Sequence, residues 1–254
     1  MRPAIRASRA GFVIALLAAW EGIVRSFHIP PWLLPGPVLV ARAVWATGGM
    51  LCWHTLFTLR AAGLGILLAV AGGVGCGVLI HVSPFLRQNL YPLLVASQTV
   101  PTLVIAPLLT LWFGFGILPK VILVGLACFF PVAVGVIDGL GAADPELIAL
   151  ARTMNAKPSR LFWKVRWPAA LPALLTGLRI SLTYAVIATV VAEWMGADAG
   201  LGVYLTRSSH SYLTDRVFAA IFVIAGVSLA IFRGINRLEE KLIPWSRPER
   251  SSRA

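Results

Sequence analysis

The chain has 254 residues, of which 58% are hydrophobic and only 13% charged, with a mean hydropathy of +0.83. A soluble globular domain is nearer half apolar and a quarter charged, so side chains this apolar need a bilayer as part of their solvent. Three cysteines exclude a secreted disulfide scaffold, and the net charge of +12 marks a nucleic-acid binder only if its placement fits one.

A spanning helix needs about 20 mostly apolar residues. Six candidates follow in chain order, at 10–26, 57–81, 89–113, 119–140, 170–195 and 216–235. The expected class is therefore all-α: one polytopic membrane domain over 1–254, with a first span at 10–26 and a core at 57–235. The first span is short and carries Glu21. A cleaved signal peptide is its alternative, but the apolar run exceeds a usual signal core and no clean cleavage pattern follows.

Six spans place both termini on one side, and Lys and Arg choose the side. With the N-terminus inside, the cytoplasmic pieces are 1–9, 82–88, 141–169 and 233–254, and they hold 15 of the 22 basic residues. The outer pieces hold five, namely Arg25, Arg42, Lys120, Arg207 and Arg216. Both termini are thus expected in the cytoplasm, with 236–254 as a basic tail. The charge follows topology, and no nucleic-acid partner is expected. Arg60 and Arg179 fall near span ends. They read as anchors whose guanidinium groups snorkel to the headgroups, with a polar role inside the bundle as the alternative.

The second span is crowded with glycine, and Gly73 and Gly77 form a GxxxG pair that lets helix backbones approach closely. Pro101, Pro107 and Pro131 are expected to kink the third and fourth spans. Cys52, Cys76 and Cys128 read as small apolar fillers, and no metal site is expected. No G-x-x-x-x-G-K-[ST], H-E-x-x-H, C-x-x-C or G-x-S-x-G occurs. The chain builds no phosphate-binding loop for ATP and nominates no catalytic residue, so no enzyme activity is expected of it. Glu21, Asp138 and Glu193 lie in or beside apolar segments. Interfacial placement is the simpler account of each, and proton coupling in an ion-driven carrier is the sharper one.

The segment 141–169, between the fourth and fifth spans, carries the most specific pattern. Asp144-Pro145-Glu146 is a helix start: a cap, a proline at the first helical position and an acid in the first turn. Leu147, Leu150, Ala151 and Met154 recur at helical spacing, and Asn155 suits the left-handed residue that ends a helix. Lys157-Pro158-Ser159 restarts the chain into a second short helix with Leu161, Phe162 and Val165 on one side. Pro168 and Pro172 then lead into the fifth span. Two short amphipathic helices facing the cytoplasm read as a docking surface, or as helices lying on lipid headgroups. A DNA-binding helix-turn-helix is disfavoured by the tether between two spans.

This segment resembles the EAA loop of ABC-importer permeases, a pattern of E-A-A, three residues, G, nine residues and I-x-L-P. Ala149, Leu150 and Ala151 stand at the E-A-A positions, Asn155 at the glycine, and Val165, Trp167 and Pro168 at I, L and P. Ala149, Leu150 and Asn155 depart in type while the spacing is kept, and asparagine preserves the turn chemistry. Further segments are similar to the nitrate, sulfonate and taurine branch: Ile29-Pro30-Pro31 with Leu34-Pro35-Gly36-Pro37, Ala106-Pro107-Leu108, Trp112-Phe113-Gly114, Gly177-Leu178-Arg179, and Glu193 with Gly200-Leu201-Gly202. Ser97 through Pro101 and Phe129-Phe130-Pro131 look most like permeases for pyrimidine precursors of thiamine or related vitamins.

The resemblance implies a homodimeric permease in a bacterial inner membrane that moves a small polar or anionic solute by alternating access. Its partners would be an ABC ATP-binding subunit that holds ATP and Mg, and a periplasmic or lipid-anchored solute-binding protein. Pro145, Glu146, Leu147, Leu150, Ala151, Arg152, Asn155, Ala156, Leu161, Val165 and Pro168 would then form the ATPase-coupling surface. Gln98, Thr99, Pro101, Trp112 and Glu193 are candidates for the substrate pathway, and helix–helix hydrogen bonding is an equal account of Gln98 and Thr99.

Overall fold

The structure is a computed structural model and describes residues 2–243. The end of the basic tail, with Arg247, Arg250 and Arg253, lies outside the described residues. Eleven α-helices account for most of the chain, and among the described residues there is no strand.

The centre is a row of three helices, α3 (Gly48–Val82), α6 (Leu118–Gly141) and α9 (Trp167–Trp194). The buried residues of α3 recur every three or four positions, at Thr58, Ala62, Gly65, Ala69, Gly73, Gly77 and Ile80, which draws one narrow seam down the helix. The seam is small because α6 lies against it. A Cβ added at Gly73 would sit 2.8 Å from Val132 Cγ1, and one at Gly77 would sit 2.7 Å from Val136 Cβ. The opposite flank of α6 meets α9 in the same way: a Cβ at Gly139 would lie 2.7 Å from the Ala170 carbonyl oxygen.

Pro131 lies inside α6 without ending it. It has no N–H to donate to Ala127, and such gaps in a spanning helix are met by neighbouring side chains. Beside it the buried Ser181 hydroxyl of α9 donates to the Cys128 carbonyl at 2.8 Å, and the Cys128 thiol donates to the Ser181 carbonyl at 3.2 Å. Cys128 therefore fills space and also joins two helices.

Around this row stand α1 (Arg2–Ser26), α2 (Pro37–Ala46), α4 (Pro84–Ser97), α5 (Thr102–Phe113), α10 (Leu201–His210) and α11 (Thr214–Leu242). At the end of the row where α3 begins, Val40, Ala43, Leu51, Val190, Leu201, Tyr204, Ala219 and Ala220 form a buried cluster that binds α2, α10 and α11 to it. Ala106 and Leu109 of α5 pack on Leu123 and Ala192.

The helices depart from the expected spans in several places. Among the described residues four helices are long and apolar enough to cross a membrane, at Gly48–Val82, Leu118–Gly141, Pro158–Trp194 and Thr214–Leu242. The expected third span is instead two helices, α4 and α5, separated at Gln98–Pro101. Pro101 disfavours helical backbone at Val100 and cannot donate, which ends the ladder there. The second helix of the 141–169 loop is not separate. It runs from Pro158 through a π turn at Phe162–Arg166 into α9. Trp167 N–H bonds the Phe162 carbonyl, five residues back, and this widening lets the helix pass Pro168.

The stretch 27–56, which no expected span covers, holds α2 and the first turns of α3. Pro37 opens α2 and Gly48 opens α3. Arg179 takes a polar role in the bundle: it pairs with Glu239, tying α9 to α11.

Exposed Leu64, Leu67, Phe222, Leu229 and Phe232 give the flanks an apolar surface suited to lipid or to a second protein. The packing of α3 on α6 predicts that Gly77→Leu destabilises the chain by about 1–3 kcal/mol through overpacking. Gly75→Leu, at a position with nothing within 4 Å, should be near neutral. Thermal unfolding of the purified variants in detergent checks both.

Candidate functional site

The 141–169 loop takes its shape from its own residues. Helix α7 (Pro145–Thr153) opens with the Asp144 carboxylate accepting the Glu146 N–H at 2.8 Å. It closes with Asn155 in the left-handed region at φ 54°. The Asn155 N–H reaches the Arg152 carbonyl, and the Ala156 N–H reaches the Ala151 carbonyl, each at 3.0 Å. This is a Schellman motif, which satisfies the terminal carbonyls and stops the helix at a fixed angle.

No residue of α7 is buried. Leu147 and Leu150 are more than half exposed, and Met154 after the helix is 76% exposed. Glu146 and Arg152 are exposed beside them, and Ala151 is half-buried. Such a helix, capped at both ends and apolar on an open face, is shaped to be covered.

The second half of the loop is fastened to the bundle. Phe162 and Trp167 pack against Val136, Leu140 and Ala170, and Phe162, Trp163 and Trp167 stack on one another with ring centroids 5.2–6.1 Å apart. Val165 and Pro168 are half-buried at the join. Arg166 Nη1 lies 2.7 Å from His81 Nε2, which links the loop to the end of α3. Between α7 and this anchored half is a groove of about 450 Å3 whose walls include His81, Arg152, Ala156, Leu161 and Arg166. Arg152, Ala156 and Leu161 thereby share the wall of one groove.

The candidates for the substrate pathway are not brought together. Gln98, Thr99 and Pro101 sit exposed in the break between α4 and α5, and Trp112 is exposed near the far end of α5. Glu193 is 2% exposed at the end of α9. Its carboxylate accepts the Thr58 hydroxyl at 2.8 Å and the Gly202 N–H at 2.7 Å. Thr58 in turn accepts the Leu201 N–H at 2.8 Å, and His54 Nδ1 accepts the Gly200 N–H at 3.0 Å.

Two side chains of α3 and one of α9 thus receive three successive N–H groups at the start of α10, where they would otherwise be orphaned. Gly200 has φ 132°, and a Cβ there would fall on the Glu193 carboxylate. His54 and Thr58 were missed in the sequence. Their spacing of four puts them on one helix face, but a single His and Thr in an apolar helix carry no signal until α10 is seen against them.

Next to this latch lies a cavity of about 170 Å3 bordered by Phe57, Arg60, Lys120, Glu193 and Asp198. Arg60 therefore faces a charged recess and not only the headgroup layer. Among the described residues no group of His, Cys, Asp and Glu could hold a metal ion. Glu21 bonds Arg25 at 2.7 Å and the Val38 N–H at 3.2 Å.

Truncating Thr58 (Thr58→Val) or Glu193 (Glu193→Ala) should each cost about 1–3 kcal/mol, since each leaves a buried N–H without a partner. Their shared bond makes the double variant less destabilised than the sum. Additive losses in thermal unfolding would show that the two side chains act separately.

Residues 61–244 match the family described as binding-protein-dependent transport system inner membrane component. The chain is 36% identical to the formylaminopyrimidine transport permease protein of Halalkalibacterium halodurans, over 94% of this chain and 95% of that one. It is 34% identical to the putative aliphatic sulfonates transport permease protein of Bacillus subtilis, over 91% of this chain and 84% of the relative. In fold it is similar to the inward-facing MetNI methionine ABC transporter, with a TM-score of 0.65 at 20% identity, over 82% of this chain and 98% of that one. The chain belongs to the binding-protein-dependent inner membrane component family and is a permease subunit of an ABC importer.

Proposed function

We propose that two copies of this chain form the pathway of an importer whose motor docks on α7. The observation that carries this reading is the open apolar face of Leu147, Leu150 and Met154 on a helix fixed at both ends. An ABC ATP-binding subunit, holding ATP and Mg itself, would seat this helix in a groove. Pro145, Glu146, Ala151, Arg152, Asn155 and Ala156 would set its angle, with Leu161, Val165 and Pro168 behind it. A solute-binding protein would deliver the solute on the opposite face.

The geometry supports a lever. From Pro158 to Trp194 the chain is one helix, about 55 Å long at 1.5 Å per residue. It starts beside the docking helix and ends at the Glu193 latch. Motion imposed on α7 would pass to α9 directly and to α6 through the close contacts at Gly139 and Ala170. The α4–α5 break, with Gln98, Thr99 and Pro101, and Trp112 on α5 are the segments of the pathway left free to move against that unit.

The arrangement has six crossings with both termini cytoplasmic, counting α1 and the α4–α5 pair as one each. The concentration of basic residues on the α7 side supports this orientation. For the solute we favour a pyrimidine vitamin precursor, from the name of the formylaminopyrimidine relative, over a sulfonate of the kind named for the Bacillus subtilis relative.

Replacing Leu150 and Ala151 together by Asp should abolish co-purification of the ATPase and lower uptake at least about thirtyfold, the loss of one interface hot spot of about 2 kcal/mol. Undiminished complex and transport would sink the docking assignment. Orientation is checked separately with single cysteines replacing Ser211 and Ser159 in a chain lacking Cys52, Cys76 and Cys128. A membrane-impermeant maleimide should label the first in intact cells and the second only after permeabilisation, and the reverse pattern would overturn the topology.

A further inference from the structure

We propose that the end of the bundle away from the coupling loop holds a binding site for a phosphate-type oxyanion, in a cavity of about 210 Å3 where Arg207 of α10, Arg216 of α11 and His54 of α3 converge. Ser208 and Ser211 complete the polar wall, and no carboxylate lines it. Among the described residues neither guanidinium has an ion-pair partner, since the only pairs join Arg25 to Glu21 and Arg179 to Glu239. Two unpaired guanidinium groups beside one recess repel each other, and an anion between them turns that repulsion into two charge-assisted contacts.

His54 points to the same ligand by a separate route. It is 7% exposed, and its Nδ1 accepts the Gly200 N–H at 3.0 Å. The proton of the neutral ring therefore sits on Nε2, as a donor. No described residue accepts from it, and the ring forms part of the cavity wall. Ser208 is buried as well, and its hydroxyl makes no side-chain hydrogen bond with a described residue. The recess thus offers guanidinium forks, an imidazole N–H and hydroxyls, all able to donate. A tetrahedral oxyanion accepts from every one of them, whereas a cation is repelled and a neutral solute leaves the charge uncompensated.

The same chemistry is supplied by the headgroup phosphate of a phospholipid or by free phosphate or sulfate. Helix α3 separates His54 from His81, at the coupling loop, by about 40 Å at 1.5 Å per residue. The cavity therefore lies near the opposite membrane surface, where headgroup phosphates are at hand. A bound oxyanion would tie α10 to α11 and back the His54–Gly200 bond beside the Glu193 latch. Assigning this surface as the outer one rests on the topology proposed above, while the binding measurement in detergent does not depend on it.

The full chain, purified in a maltoside detergent and delipidated, is titrated with inorganic phosphate while its thermal unfolding is followed. The same chain is reconstituted in vesicles of phosphatidylethanolamine and phosphatidylglycerol, then re-extracted, and its retained lipid is counted by native mass spectrometry. Saturable stabilisation by phosphate supports the site with a free anion. One tightly held phosphatidylglycerol per chain, displaced by excess phosphate, supports it with a headgroup.

In either arm Arg207→Gln with Arg216→Gln should weaken binding at least about tenfold, as loss of charged hydrogen bonds implies. If that variant does not fold, Ser211→Asp serves instead: it supplies the site with its own carboxylate and should erase the response to phosphate and the retained lipid. Wild-type protein that shows neither response, or a folded variant that binds like wild type, overturns the proposal.

Discussion

Helix α6 touches backbone on both flanks, and the rest of the molecule is arranged around that constraint. Gly73 and Gly77 of α3 let Val132 and Val136 approach from one side, and Gly139 of α6 lets Ala170 of α9 approach from the other. In a bilayer the hydrophobic effect does not press helices together, because lipid tails are as apolar as leucine. Dispersion between surfaces in close contact must do so, and it requires small residues at the seam. The reciprocal Cys128–Ser181 bonds add polar glue beside Pro131, where the backbone ladder of α6 is incomplete. The three central helices therefore behave as one body, and flexibility is left to what surrounds them.

Both functional ends are attached to that body. At one end the short helix Pro158–Leu161 and the π turn extend α9, and Phe162 and Trp167 pack back onto α6. At the other, Glu193 closes α9 onto α3 and onto the first turn of α10. From the 141–169 loop to the latch the backbone runs as continuous helix, with Pro172 inside it. The π turn keeps the helix continuous up to Pro168, whose ring would press on the carbonyl four residues back in a plain α-helix. The weak point is instead the α4–α5 break, where the helical ladder is interrupted.

Much of this was legible in the sequence where a residue's role is local. Asp144-Pro145-Glu146 announces the start of α7, and Asn155 announces its stop, because capping chemistry involves only neighbours a few residues away. The long apolar runs announce α3, α6, α9 and α11 for the same reason. The spacing that aligns the loop with the EAA pattern locates the family, which the match over 61–244 shares. Pro168 misled, since a proline that usually opens a helix here lies within one, and the compensating π turn depends on the packing of Phe162 and Trp167. The third span misled in the opposite sense: Ser97-Gln98-Thr99 interrupt its apolar run only briefly, and Pro101 marks the break. Glu193, Thr58 and His54 stand apart in the chain and acquire meaning only when three N–H groups of α10 fold against them.

The buried polar groups also explain why the Glu193 latch need not be weak within an apolar bundle. A lone carboxylate there would be costly, but Glu193 accepts a hydroxyl and a backbone N–H, and Gly200 leaves its backbone room to approach. The same glycine holds a positive φ that other residues rarely adopt, so the latch is set by backbone geometry as much as by charge. His54 belongs to both neighbourhoods: one ring nitrogen serves the latch and the other faces the recess of Arg207 and Arg216. An anion held in that recess would orient the imidazole from the side opposite Gly200. The state of the outer recess and the fastening of α10 to α9 would then be coupled through a single ring, with no moving part between them.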